Sequence, residues 1–223
     1  MIHLDRYKSF KINEAEEVKT EGEVKRSERV LSQAQKEYDG SNIKQTKNAP
    51  TILFTDIVGS SKLWSDDPLT MTEQLKKHHI LVNNLAEKNG GWIVKTIGDA
   101  FMVYFEPTKE SLINALRFSR DLVRNETKYN LRIGACFGNV DEQTYKIQKV
   151  DLRDFYGNAV NTASRMESKV SDEAGIAFTA VDDISEDMKD KIKKEFTNIE
   201  SIDLTDMDLR GVKVKKAFKI KLK

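Results

Sequence analysis

An α+β sandwich, with a mainly antiparallel sheet flanked by helices, is the fold class this 223-residue sequence predicts. Three observations lead there: short β-branched runs bounded by Gly-containing turns, helical apolar stripes set between them, and no regular βα repeat of the kind a doubly wound sheet needs. Apolar residues make up 39% of the chain, enough for one sizeable core and too many for a disordered polymer at net charge +1. The balance of 37 basic and 36 acidic side chains removes the bulk electrostatic case for nucleic acid or an anionic membrane as main partner. No stretch approaches the roughly 20 apolar residues of a membrane span, and Met1 to Phe10 lacks the apolar run of a signal peptide, so a soluble cytoplasmic protein is expected. The single cysteine, Cys136, excludes an internal disulfide and any zinc site built from several thiolates.

Residues 1–48 read as a charged N-terminal extension and residues 49–223 as the folded domain. From Asn13 to about Asn48 the chain is dominated by Glu, Lys, Gln and Ser, and Val18, Val24, Val30, Leu31 and Ala34 form only a thin helical stripe. This pattern suits a solvated helix or a disordered leader, with a signalling coiled coil as the alternative; either leaves the segment as a docking element for an unidentified regulatory partner. Thr51 to Val58 is β-branched and aromatic, too short for a helix, and runs into Gly59-Ser60-Ser61: a buried strand followed by a turn. Ser65-Asp66-Asp67-Pro68 supplies cap residues and a proline suited to a first helical turn, Leu75, Val82 and Leu85 continue at helical spacing, and Asn89-Gly90-Gly91 stops the helix. Trp92 to Ile97 and Ala100 to Phe105 predict a hairpin with Gly98-Asp99 at its tip. A helix over about Lys109 to Asn125, a strand from Leu131 to Phe137, and helices over Gly157 to Val170 and Asp182 to Phe196 follow. Val212 to Leu222 alternates apolar residues with lysines and predicts a half-buried strand, its lysines serving as edge protection or a solvated face.

A carboxylate at the end of an apolar strand is expensive to bury unless it is paired or binds a metal, and Asp56 and Asp99 occupy two such positions. If the first strand lies beside the hairpin, both reach one edge of the sheet and make an oxygen-rich site for Mg²⁺ or Mn²⁺, completed by a ligand's phosphates. Gly59, Ser60 and Ser61 would offer backbone N–H groups and hydroxyls to phosphate just before a helix. Taken singly, either aspartate fits an ordinary turn or cap. Asn161 and Arg165, four residues apart, share one face of their helix, with Asp154 just before it; a plain amphipathic helix is the competing account. Lys95 interrupts an otherwise apolar strand, either snorkelling or bound to a partner.

These segments resemble the class III nucleotide cyclases, the catalytic domains of adenylyl and guanylyl cyclases. The resemblance spans about Thr51 to Leu222 and rests on FTDIVGSS at Phe54 to Ser61, KTIGDAFMVYF at Lys95 to Phe105, LRIGACFGNV at Leu131 to Val140, and DFYGNAVNTASRMES at Asp154 to Ser168. It implies a ferredoxin-like catalytic domain that works as a homodimer on ATP, with two Mg²⁺ or Mn²⁺ ions in each active site. Asp56 and Asp99 look like the metal-binding aspartates, with the backbone carbonyl of Ile57 as a further ligand. Lys95 and Asp154 match the adenylyl-type pair that reads the purine edge, lysine donating to a ring nitrogen and aspartate accepting from the exocyclic amine; guanine reverses that pattern. Asn161 and Arg165 match the pair that orients the ribose and neutralises charge on the transferring phosphate. The resemblance implies sites shared across the dimer, Asp56 and Asp99 of one chain facing Lys95, Asp154, Asn161 and Arg165 of the other. Lys213 is the candidate for the terminal phosphates, with Lys149 and Arg153 as further phosphate contacts. His78, His79 and Cys136 are left in structural roles, since the chemistry needs no protein nucleophile.

The activity so implied is conversion of ATP to 3′,5′-cyclic AMP and pyrophosphate. Cyclisation of another nucleotide, giving cyclic GMP or a cyclic pyrimidine nucleotide, is one alternative. A catalytically silent nucleotide-binding or dimerisation module is the other.

Overall fold

The structure, a computed structural model, describes residues 44–45, 49–147, 150–171 and 175–221. In chain order these form β1 (Lys44–Gln45), β2 (Thr51–Ile57), α1 (Ser60–Asp66), α2 (Pro68–Lys88), β3 (Gly91–Ile97), β4 (Ala100–Phe105), α3 (Ser111–Asn125), β5 (Leu131–Phe137), β6 (Asp141–Ile147), β7 (Val150–Tyr156), α4 (Asn158–Arg165), a π-helical turn (Met166–Val170), β8 (Gly175–Ala180), α5 (Glu186–Glu195), β9 (Ile199–Asp203) and β10 (Lys216–Ile220). The helical or disordered extension expected over residues 1–48 lies outside the described residues, apart from Lys44 and Gln45, which pair with β6.

A seven-stranded sheet runs in the order β3-β4-β2-β5-β8-β10-β9, antiparallel except for the parallel β5–β8 pair. Strand side chains alternate between faces, and on β2 and β4 both sets are apolar. Leu53, Phe101, Val103 and Phe105 join Ile133 and Ala135 of β5 under Leu112, Leu116 and Phe118 of α3 and Val82 and Leu85 of α2. On the opposite face Ile52, Met102, Tyr104 and Cys136 meet Phe155 of β7 and Ala159 and Ala163 of α4. The sheet is therefore covered on both sides, and each large apolar side chain buried there contributes about 1.5–3 kcal/mol. α2 starts where the Asp67 side chain accepts from the Thr70 N–H at 3.0 Å with Pro68 behind it, and ends ahead of Gly90 at φ +71°.

Close approach decides where α4 sits. A Cβ on Gly134 of β5 would stand 2.0 Å from the Glu167 nitrogen and 2.5 Å from the Ala163 carbonyl oxygen, so only glycine lets the helix lie this near the sheet. Ahead of α4, β6 and β7 form a second sheet with β1. Its polar alternation, DEQTYKI against VDLRDFY, carries few core residues, and hydropathy does not mark it as a hairpin. Strands β8 and β9 and the short helix α1 likewise go beyond the sequence expectation.

One expected strand is shorter than its pattern. Of Val212 to Leu222 only Lys216–Ile220 is strand, while Val212 and Val214 pack with Leu204, Leu209 and Met207 in a loop bent at Gly211, φ +80°; Leu222 lies outside the described residues. Nor is β10 an edge: it sits between β8 and β9, so edge protection does not explain its lysines, and the solvated-face reading stands.

Candidate active site

β2 and the β3–β4 turn bring Asp56 and Asp99 together because β2 pairs with β4. Both are buried, at 6% and 8% exposure. The Ile57 backbone N–H donates to Asp99 Oδ2 at 3.3 Å, and the Ser60 hydroxyl at the start of α1 also bonds Asp99. Burial pushes the Asp99 carboxyl above its ordinary 3.8, and the neighbouring Asp56 pushes it further. Asp56 Oδ1 is buried with no hydrogen-bond partner, while Asp56 Oδ2 takes a guanidinium N–H from Arg132 of β5. A buried carboxylate oxygen left unsatisfied next to a second, reluctantly ionised carboxyl could serve as part of the oxygen donor set of a hard divalent cation. Among the described residues no group of three or more His, Cys, Asp or Glu side chains is placed to hold a metal, so protein carboxylates alone do not complete the shell. Backbone oxygen such as the Ile57 carbonyl, water and ligand phosphate would supply the remainder.

On β3 a bulge between Ile93 and Lys95 breaks the alternation and sets Lys95 opposite Met102 of β4. Its Nζ donates to Asp154 Oδ1 at 2.8 Å and Oδ2 at 2.7 Å, and lies 5.9 Å from the Tyr156 ring centre. Asp154 lies on β7 directly across from Gln143 of β6 and also accepts from the Phe155 N–H at 2.8 Å and the Tyr156 hydroxyl at 2.9 Å. Thus the two residues expected to read a base meet within one chain, 59 positions apart in sequence. Lys95 lies within β3, whereas Asp99 stands in the two-residue turn that joins β3 to β4.

Asn161 and Arg165 sit on α4, Asn161 exposed and Arg165 half-buried. Burial lowers the Arg165 guanidinium from its ordinary value, with Asp208 opposing and Arg210 adding to the shift. Gly59 is exposed with φ +72° and leads into α1, whose Ser61 is exposed. Lys213 is exposed in the loop before β10. Arg153 is engaged elsewhere, donating to Glu142 at 2.6 Å and stacking 4.8 Å from the Trp92 ring centre; Lys149 lies outside the described residues. Cys136 is fully buried, its thiol pushed up by burial, and His78 is held at 2.6 Å by Glu126, so neither is placed for chemistry at this site.

A profile of the adenylate and guanylate cyclase catalytic domain matches residues 43–220. The chain belongs to this family. Adenylate cyclase of Schizosaccharomyces pombe is 28% identical over 190 residues, 75% of this chain and 11% of that protein. Receptor-type guanylate cyclase gcy-23 of Caenorhabditis elegans is 27% identical over 165 residues, 64% of this chain and 15% of that protein. The chain thus spans only 11% and 15% of the length of these two relatives. The catalytic core of a rhodopsin-guanylyl cyclase with converted specificity, solved with ATPαS, superimposes with TM-score 0.66 at 25% identity, covering 82% of this chain and all of that one. Adenylyl cyclase CyaB from P. aeruginosa shares the fold, with TM-score 0.63 over 81% of this chain and 97% of that one.

Within this cyclase domain three residues escaped the sequence reading: Arg132, Tyr156 and Tyr145. Arg132 carries the signal that exposed Lys95, a cation interrupting an apolar strand, here LRIGACF. The tyrosines carry none, because their roles depend on a cross-strand geometry that only the β6–β7 pairing creates.

Proposed function

We propose that the chain is an adenylate cyclase, forming 3′,5′-cyclic AMP and pyrophosphate from ATP at sites shared across a homodimer. The observation that carries this reading is the Lys95–Asp154 pair, a donor and an acceptor side by side at 2.7 Å on an accessible face, which suits the adenine edge. Asp56, Asp99 and the Ile57 carbonyl hold Mg²⁺ or Mn²⁺, two ions per site. When bound, those ions supply acidification of the ribose 3′-hydroxyl and charge stabilisation at the α-phosphate and the leaving pyrophosphate. The chain itself positions and neutralises. Asn161 orients the ribose, Arg165 meets the charge developing on the transferring phosphate, and Gly59, Ser60, Ser61 and Lys213 bind the remaining phosphates. No helix among the described residues is long and apolar enough to cross a membrane, and the domain's working place is proposed to be the cytoplasm.

A second reading, cyclic GMP production, is favoured by the guanylate cyclases among the relatives and superimposed structures. The deciding experiment is a product assay on the full chain with ATP, GTP, CTP and UTP separately, in Mg²⁺ and in Mn²⁺, beside Asp56→Ala. Cyclic AMP as the main product, lost in that variant, supports the reading. A different cyclic nucleotide overturns the base assignment. ATP binding without turnover at any metal concentration points instead to a silent nucleotide-binding module.

A further inference from the structure

Asp154 belongs to a hydrogen-bonded relay that reaches across the β6–β7 ribbon. Alternation places Gln143 and Tyr145 of β6 on the same face as Leu152, Asp154 and Tyr156 of β7. Gln143 stands opposite Asp154, and the two tyrosines, placed on either side of that pair, lean over it until their hydroxyls meet at 3.0 Å. Tyr156 donates to Asp154 Oδ2 at 2.9 Å, and the Tyr145 hydroxyl lies 2.5 Å from Gln143 Oε1. Each hydroxyl has one proton, so Tyr145 serves Gln143 or Tyr156 at a time, while the Tyr156 bond to the carboxylate persists in both arrangements. Burial, then the bonds to Tyr145 and Asp154, push the Tyr156 phenol above its ordinary 10.0, so it stays a donor.

The relay matters because Lys95 now occupies both oxygens of Asp154. A lysine that turns to a purine ring nitrogen gives up part of that double contact, and a carboxylate on a strand side chain is then free to rotate. Two donors would remain, the Phe155 N–H on Oδ1 and the Tyr156 hydroxyl on Oδ2, one for each oxygen. We propose that Tyr156, backed by Tyr145, is a positioning residue for base selection, holding the Asp154 carboxylate in one plane so that it accepts from an exocyclic amine and rejects a carbonyl. The proposal rests on the base-reading role of Lys95 and Asp154 proposed above. Tyr156 also lies beneath the Lys95 ammonium, so the same ring limits the lysine's excursion.

The test is nucleotide binding by calorimetry, with kcat and KM for ATP and GTP, on full-length wild type, Tyr156→Phe, Tyr145→Phe, Leu152→Ala and Lys95→Ala/Asp154→Ala. Losing a hydrogen bond to a charged group at a half-open site is expected to weaken ATP binding about tenfold in Tyr156→Phe. The loss falls in KM, since a base contact is made equally in ground and transition states, and kcat stays within about twofold. The ATP-to-GTP ratio narrows by a similar factor. Tyr145→Phe moves the ratio the same way by less, and Leu152→Ala, 47% exposed on the same face but outside the relay, leaves it unchanged. A wild-type ratio in Tyr156→Phe, when the double variant has lost its preference, overturns the positioning role alone. An unchanged ratio in the double variant, or equal binding of ATP and GTP by wild type, overturns the base-reading role and the relay with it. Sedimentation of each variant covers the remaining outcome: a Tyr156→Phe defect that tracks loss of dimer, or appears equally in Leu152→Ala, assigns the tyrosine to the interface and overturns the proposal. Should Tyr156→Phe fail to fold, Tyr145→Phe decides, and a wild-type ratio there refutes the relay.

Discussion

Asp56 and Arg132 face each other across the β2–β5 ladder and form an ion pair, although 76 positions separate them in sequence. Arg132 also reaches Glu167 at 3.3 Å, tying the carboxylate site to the π-helical turn that follows α4. In the metal-free chain this guanidinium supplies the positive charge that a cation would otherwise bring to Asp56. Arg132→Ala is therefore expected to destabilise the metal-free protein by about 1–3 kcal/mol, the cost of stripping a charged partner from a buried carboxylate. Mn²⁺ should then raise the melting temperature of the variant more than that of wild type. Equal shifts measured by calorimetry in both proteins would show that metal and arginine do not share Asp56.

Gly134 is where helix α4 meets the sheet most tightly. Gly134→Ala forces α4 away from β5 and is expected to cost about 1–3 kcal/mol by overpacking, read as a lower urea midpoint. Because Asn161 and Arg165 ride on that helix, cyclase turnover should fall by more than the unfolded fraction explains. A variant of normal activity per folded molecule would mean that the helix position tolerates the shift.

Arg165 lies in a half-buried setting on the outward face of α4, away from the Ala159–Ala163 packing side. Arg165→Ala should therefore leave the melting temperature near that of wild type and lower kcat by roughly a hundredfold, as removal of a preorganised charge stabiliser does. A change confined to KM would assign the arginine to substrate binding instead.

His79 supplies a pH signature separate from the active site. Its ring packs edge-on against Phe101 at 4.7 Å, its Nε2 is buried without a partner, and burial, aided by His78, lowers its pKa below the ordinary 6.5. The unfolded chain thus takes up this proton before the folded one, so stability is full above about pH 6.5 and declines as pH falls toward the folded-state value. His79→Gln should flatten that part of the curve in melting experiments between pH 5 and pH 8; the same acid-side slope in the variant would place its origin elsewhere.

Local chemistry made much of the site legible. The β-branched run ending at Asp56, the Gly98-Asp99 turn and the i,i+4 spacing of Asn161 and Arg165 are short-range patterns, and each appears in the structure as strand, hairpin tip and helix face. Hydropathy also located α2, α3 and β5, because each buries an apolar face that the sequence displays. The β6–β7 hairpin did not stand out, since a ribbon rich in Asp, Gln, Thr, Lys and Arg puts little besides Phe155 into the core to announce it.

Residue patterns alone gave the elements with a clear apolar face, such as β2, α2, β4 and α3, together with the family motifs and the identity of the side chains that bear charge. Tertiary structure alone decided which of those charges meet: Asp56 with Arg132 through the β2–β5 register, and Lys95 with Asp154 through a bulge in β3 and the fold of β7 beside it. The reason is physical. Propensity and periodicity act over a few residues, whereas these pairs are set by strand pairing over tens of residues, where a one-residue slip would turn every side chain to the opposite face.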